Sequence, residues 1–145
     1  LVATADTLVL ANHAPYYPAV MVYCETEDDP RIVKKPCLMV EVLSDRTAET
    51  DRGEKWLNYQ ALPSLQRDVL LDPDTVRAEV FRRVEGGWHY EKIESGMLRL
   101  SCVDLEIALE NLYSRYRVEG RRADRSHRKT RLRQVFERVA GINLV

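Results

Sequence analysis

The sequence is short of the features that mark several protein classes. Across 145 residues no run approaches the ~20 consecutive apolar residues that a bilayer demands, and no basic-then-apolar leader opens the chain, so neither a membrane span nor secretion is expected. Cysteine is scarce. Cys24, Cys37 and Cys102 form no C-x-x-C pair and are odd in number, which argues against a disulfide framework or a structural zinc site and for a reducing, cytoplasmic setting. Cys24 and Cys37 are instead expected as small core residues. The three histidines, His13, His89 and His127, show no H-E-x-x-H or zinc spacing, and His13 and His89 read as loop and hairpin residues. No G-x-S-x-G elbow makes a nucleophile of Ser44 or Ser64, and no glycine-rich phosphate loop supports a nucleotide cofactor. Internal repeats and low-complexity segments are missing as well. What remains, 45% hydrophobic and 31% charged, is the composition of one soluble globular domain.

Net charge is nearly absent, at -1, yet the balance conceals a split. From Arg115 onward ten basic residues face three acidic ones, leaving +7, while the preceding 114 residues carry -8. Such asymmetry points to an anionic partner for the tail, nucleic acid first, or to a solvated helix face. Arg121, Arg122, Arg125, Arg128, Lys129 and Arg131 are the candidate contacts to DNA phosphates. Leu132, Val135, Phe136 and Val139 recur at helical spacing, and that stripe fits either docking on the core or pairing with another subunit as a homodimer.

Strands come first along the chain and helices last. Residues 7–11 and 19–24 are short apolar runs, joined to the next run by an acidic, proline-bounded connection that reads as a surface loop. Residues 37–43 (CLMVEVL) are almost continuously apolar, the pattern of a central strand covered on both faces. A helix is expected over 47–62, with Thr47 as its cap, Trp56, Tyr59 and Leu62 as its apolar stripe and Pro63 as its stop. Residues 68–72 make another short buried strand; 76–83 and 88–94 fit a hairpin about Gly86-Gly87, and 97–100 one more strand. A turn and short helix are expected over 103–113, and a last helix capped by Asp124 and ending at Gly141. This order implies a mixed α/β sheet flanked by helices.

Glu41 is the acid that packing alone would not place. It sits inside an apolar strand between Val40 and Val42, where an unpaired carboxylate costs several kcal/mol. It either meets solvent or a structural cation at the sheet end, or serves as a metal ligand or general base. Downstream, Asp51 and Lys55 stand four apart on the expected helix; they form a surface ion pair, or their helix crosses the sheet and aims Lys55 at Glu41.

These residues fall in a recognisable order. Tyr16-Tyr17-Pro18-Ala19-Val20-Met21-Val22, then Pro36-Cys37-Leu38-Met39-Val40-Glu41-Val42-Leu43-Ser44, resemble the Uma-type putative restriction endonuclease family of the PD-(D/E)XK nuclease superfamily. Thr47, Asp51-Arg52-Gly53-Glu54-Lys55, Tyr59, the run from Leu62 to Gln66, Leu70 and Asp72-Pro73 continue the match, which fades near Tyr113. The resemblance implies a restriction-endonuclease-like mixed sheet over 1–115, without the usual N-terminal helix; outside it, residues 116–145 read as a basic helical extension. It implies Mg²⁺- or Mn²⁺-dependent DNA hydrolysis, with Glu41 and the backbone carbonyl of Val42 as metal ligands and Lys55, moved to the adjacent helix, as the catalytic lysine. Ser44, Asp51 and Tyr59 would support them. Where the family has Pro-Asp this chain has Pro18-Ala19, and a methyl group cannot ligate a metal, so catalysis is expected to be impaired and the metal weakly held or absent. The alternative is a non-catalytic DNA-binding or assembly module on the same scaffold.

Overall fold

The computed structural model describes residues 2–4, 7–23, 29, 31–120 and 127–142. Its centre is a six-stranded sheet in the order β1 (Val2–Thr4), β4 (Val20–Tyr23), β6 (Pro36–Val42), β7 (Arg67–Leu71), β8 (Ala78–Val84) and β9 (Gly87–Ile93). Only β6 and β7 run parallel; the other neighbours are antiparallel. The crossover between β6 and β7 contains α1 (Ala48–Arg52) and α2 (Glu54–Tyr59). A three-stranded sheet is built from β3 (Ala14–Tyr16), β2 (Leu8–Ala11) and β5 (Ile32–Val33), and a hairpin pairs β10 (Met97–Leu100) with β11 (Leu105–Ala108). Two helices follow, α3 (Leu109–Gly120) and α4 (Arg128–Ala140). The mixed α/β architecture is the one the sequence pattern implies.

Every residue of β6 is buried, as its apolar run predicts, because the sheet is covered on both faces. Leu38, Val40 and Val42, with Val69 and Leu71 of β7, face a core completed by Leu98, Leu112, Tyr113, Leu132, Val135 and Phe136. The apolar stripe of α4 therefore docks on the sheet. Met39 faces the opposite core, with Val9, Tyr16, Trp56, Tyr59 and Leu65.

Five local expectations are corrected. The 47–62 helix is broken at Gly53, whose φ of -105° and ψ of -94° leave the helical region. A Cβ there would lie 3.0 Å from the Glu49 carbonyl oxygen. Thr47 occupies the cap position without a side-chain capping bond; Ser44 Oγ accepts the Thr47 N–H instead, at 3.2 Å. The surface loop before Pro36 includes Ile32–Val33, paired in parallel with β2. Residues 105–108 form a strand in register with β10 rather than part of a helix; Asp104, at φ 54°, turns the chain between them. Finally, Cys37 and Cys102 are joined by a disulfide, so Cys37 is a cross-linked core residue and cysteine usage carries no argument for a reducing compartment. Cys24 and the proposed Asp124 cap lie outside the described residues. The helix end at Gly141 is as expected: its φ of 67° and the bonds from Gly141 N–H to Arg138 O and from Ile142 N–H to Glu137 O close α4.

Candidate active site

Alternation along β6 turns Glu41 to the face beneath α1 and α2, the side of Met39. There the crossover lays Asp51, Lys55 and Tyr59 over it, each four residues from the next. The aromatic residues explain why these helices lie where they do: Trp56 stacks on Phe81 with ring centroids 4.0 Å apart and meets Trp88 edge-on at 4.7 Å. Lys55 Nζ stands 2.8 Å from Asp51 Oδ1 and 3.8 Å from Glu41 Oε1, and the Tyr59 hydroxyl donates to that same Glu41 oxygen at 2.9 Å. The open question about Lys55 is thus answered by geometry: it bridges both acids beneath the helix. Arg52 ties α1 to the sheet as well, through Glu79 at 2.6 Å, and Tyr90 donates to Glu79 at 2.7 Å.

These are buried charges, with Glu41 4% and Asp51 1% exposed. Burial, relieved only in part by Lys55 and aggravated by Asp51, lifts the Glu41 carboxyl to about 7. Burial acts in the opposite sense on Lys55, but Glu41 and Asp51 outweigh it and hold the ammonium above its usual value. The Tyr59 hydroxyl is pushed up by burial and by Glu41.

Sequence reasoning missed one member. Asp68 of β7 pairs with Met39 and so points to the same face. It is 0% exposed, and neither carboxylate oxygen has a hydrogen-bond partner among the described residues. Burial, then the charges of Glu41 and Asp51, raise its pKa well above the carboxylate range. The signal was available: Asp68 opens an apolar strand much as Glu41 interrupts one. Ser44, by contrast, shares its hydroxyl with Thr47 at 2.9 Å and caps the turn into α1, a structural role.

Ala19 precedes Val20, which pairs with Val40, so it lies across the ladder beside the Glu41 position. Ala19, Glu41, Val42 and Lys55 wall one cavity of ≈ 270 Å³. Helix α4 closes its other side with Lys129, Thr130 and Arg133. Of the tail residues expected to meet DNA, Arg121, Arg122 and Arg125 lie outside the described residues. Arg128 pairs with Asp74, and Arg131 lies 4.9 Å over the Tyr116 ring. Lys129 alone of the remaining three reaches the cavity.

Whether this wall could seat Mg²⁺ is a matter of donors. The cavity offers the Glu41 carboxylate and Val42, with the Ala19 methyl group on the same wall, and no group of three His, Cys, Asp or Glu able to hold a metal occurs among the described residues. Asp51 is paired with Lys55, and Asp68, 0% exposed, does not line the cavity. The set does not fit a resident divalent ion. Nor is any helix among the described residues long and apolar enough to cross a membrane.

A solved structure has a similar architecture. A crystal structure of a putative nuclease belonging to DUF820 from Anabaena variabilis superposes with a TM-score of 0.64 at 18% identity, covering 77% of this chain and 67% of that one; the likeness is one of fold. Two uncharacterized proteins of Synechocystis are 32% and 36% identical over 102 and 80 residues, that is 66% and 52% of this chain and 53% and 45% of their own lengths. The chain thus spans about half the length of the curated relatives it matches. Residues 1–110 match the Uma2 family, described as putative restriction endonuclease, and the chain belongs to that family.

Proposed function

We propose that this chain is a DNA-binding member of the nuclease family whose metal-dependent phosphodiester hydrolysis is impaired at Ala19. The observation that carries the reading is the shared cavity: Glu41 and Lys55 converge on one wall, and a methyl group stands where the second metal-anchoring carboxylate belongs. With that carboxylate missing, Mg²⁺ or Mn²⁺ is at best weakly held by Glu41 and the Val42 carbonyl, and no step is routed through it.

The chain's own cations account for binding. Lys55 is locked in place by Asp51 and Glu41, Arg133 pairs with Glu137 at 3.4 Å, and Lys129 extends from α4 into the same space. A backbone phosphate entering the cavity would meet Lys129 beside two cations already paired with carboxylates. Tyr59 holds the Glu41 carboxyl and Asp51 the ammonium, so each group is oriented by a neighbour.

Plasmid nicking in Mg²⁺ or Mn²⁺, alongside DNA binding as a function of salt, tests the reading. The parent chain should bind DNA and nick it weakly or not at all, and Ala19→Asp should gain nicking. Lys129→Ala should flatten the salt slope by about one unit, the share of one phosphate contact. If Ala19→Asp gains neither metal affinity nor cleavage, the proposed site is wrong. Salt-dependent DNA binding that survives in that inert variant would favour the non-catalytic module.

A further inference from the structure

The opposite face of the central sheet holds a larger cavity that the nuclease reading does not use. Its volume is ≈ 570 Å³, within the range of small-molecule sites. Three guanidiniums line it, Arg67, Arg82 and Arg99, against one carboxylate, Glu91; half-buried Ile93 and exposed Met97 provide the apolar wall.

Arg67 and Arg82 are directly opposed in the β7–β8 ladder. Like charges so placed destabilise a sheet unless an anion lies between them. Their compensation within the chain is slight. Arg67 donates through Nε and a terminal nitrogen to Ser101 Oγ, at 3.1 and 2.8 Å, and a hydroxyl supplies no counter-charge. Burial, and after it the Arg82 charge, hold the Arg67 guanidinium below its usual value, with Glu91 acting weakly against them. Arg82 has no carboxylate ion-pair partner among the described residues. Arg99 is matched at the exposed rim by Glu106, at 3.2 Å. The cavity therefore keeps a pair of planar donor forks, offset only in part by Glu91, beside an apolar wall.

We propose that this cavity binds a phosphate monoester on a flat apolar body, with the phosphate between Arg67 and Arg82 and the body against Ile93 and Met97. Guanidinium forks match phosphate oxygens two at a time, which a lysine pair would not. The ligand is a free mononucleotide or the 5′-phosphorylated end of a nucleic-acid strand, which present the same group. The site lies on the sheet face away from Glu41 and stands or falls independently of hydrolysis there.

Calorimetric titration of the full chain at low salt tests it, using adenosine monophosphate, adenosine, and short oligonucleotides with a 5′-phosphate or a 5′-hydroxyl. Adenosine monophosphate should bind saturably and adenosine should not. Arg82→Gln should weaken binding at least about tenfold, the cost of a lost charge-assisted contact. The same variant should raise the melting temperature of the ligand-free protein, because it removes the repulsion. Arg99→Gln, at the exposed rim, gives a second variant with smaller risk to folding and should weaken binding less. Tighter binding of the 5′-phosphorylated strand identifies nucleic-acid ends as the source, and tighter binding of the monophosphate identifies the free nucleotide. Equal affinity for adenosine and its monophosphate, or unchanged binding in Arg82→Gln, would overturn the proposal.

Discussion

Both faces of the central sheet carry an apolar core, but among the described residues the buried acids lie on one of them. Toward β10, β11, α3 and α4 the sheet presents Leu38, Val40, Val42, Val69 and Leu71 to an apolar core. Toward α1 and α2 the described residues bury four acids, Glu41, Asp68 and Glu79 of the sheet and Asp51 of α1; Lys55 meets Glu41 and Asp51, and Arg52 meets Glu79. One face gains stability by removing apolar surface from water; the other gives some of it up to hold charge in a fixed place.

The comparison breaks most readily on the apolar side. Phe136 is fully buried on α4, and Phe136→Ala should cost about 3–5 kcal/mol in urea unfolding. A loss below about 1 kcal/mol would mean that α4 is not part of the core.

The charged side should respond to pH. Glu41 has its folded pKa raised from 4.5 to about 7, so its contribution to stability is fully present below pH 4.5 and lost as pH rises through 7. In metal-free buffer the parent chain should lose up to about 3 kcal/mol from this group across that window. Glu41→Gln should flatten the curve and be the more stable protein at pH 8; an unchanged slope would show that Glu41 keeps an ordinary carboxyl.

Smaller effects sharpen the contrast. Replacing Asp68 by Leu removes a buried carboxylate without hydrogen bonds and should stabilise the chain by about 1–2 kcal/mol at pH 8, whereas most substitutions of buried residues destabilise. Arg52→Ala should cost about 1 kcal/mol, since it strips Glu79 of its ion pair but leaves the bond from Tyr90.

Much of this was legible in the chain. Period-two and continuous apolar runs located β6, β7, the β8–β9 hairpin and β10, and one acid in a greasy strand located Glu41. The i, i+4 spacing of Asp51 and Lys55 showed that they could pair but not where, because the direction of a helix across a sheet is set by packing; here Trp56 on Phe81 fixes it. Asp68 stayed hidden because an acid at a strand end is normally solvated, and only the parallel register with β6 reveals that it is sealed. The Cys37–Cys102 cross-link joins residues 65 apart, a pairing no local pattern encodes. β5 and β11 are short strands whose partners are distant or follow a tight turn, and local propensity is weakest there.

The account turns on what stands opposite Glu41, and Mn²⁺ binding by Ala19→Asp measures that most directly. Titration followed by electron paramagnetic resonance should show Mn²⁺ held by Ala19→Asp, much more weakly by the parent chain, and lost again when Glu41→Gln is added. Equal Mn²⁺ affinity in the parent chain and in Ala19→Asp, or binding that ignores Glu41, would contradict it.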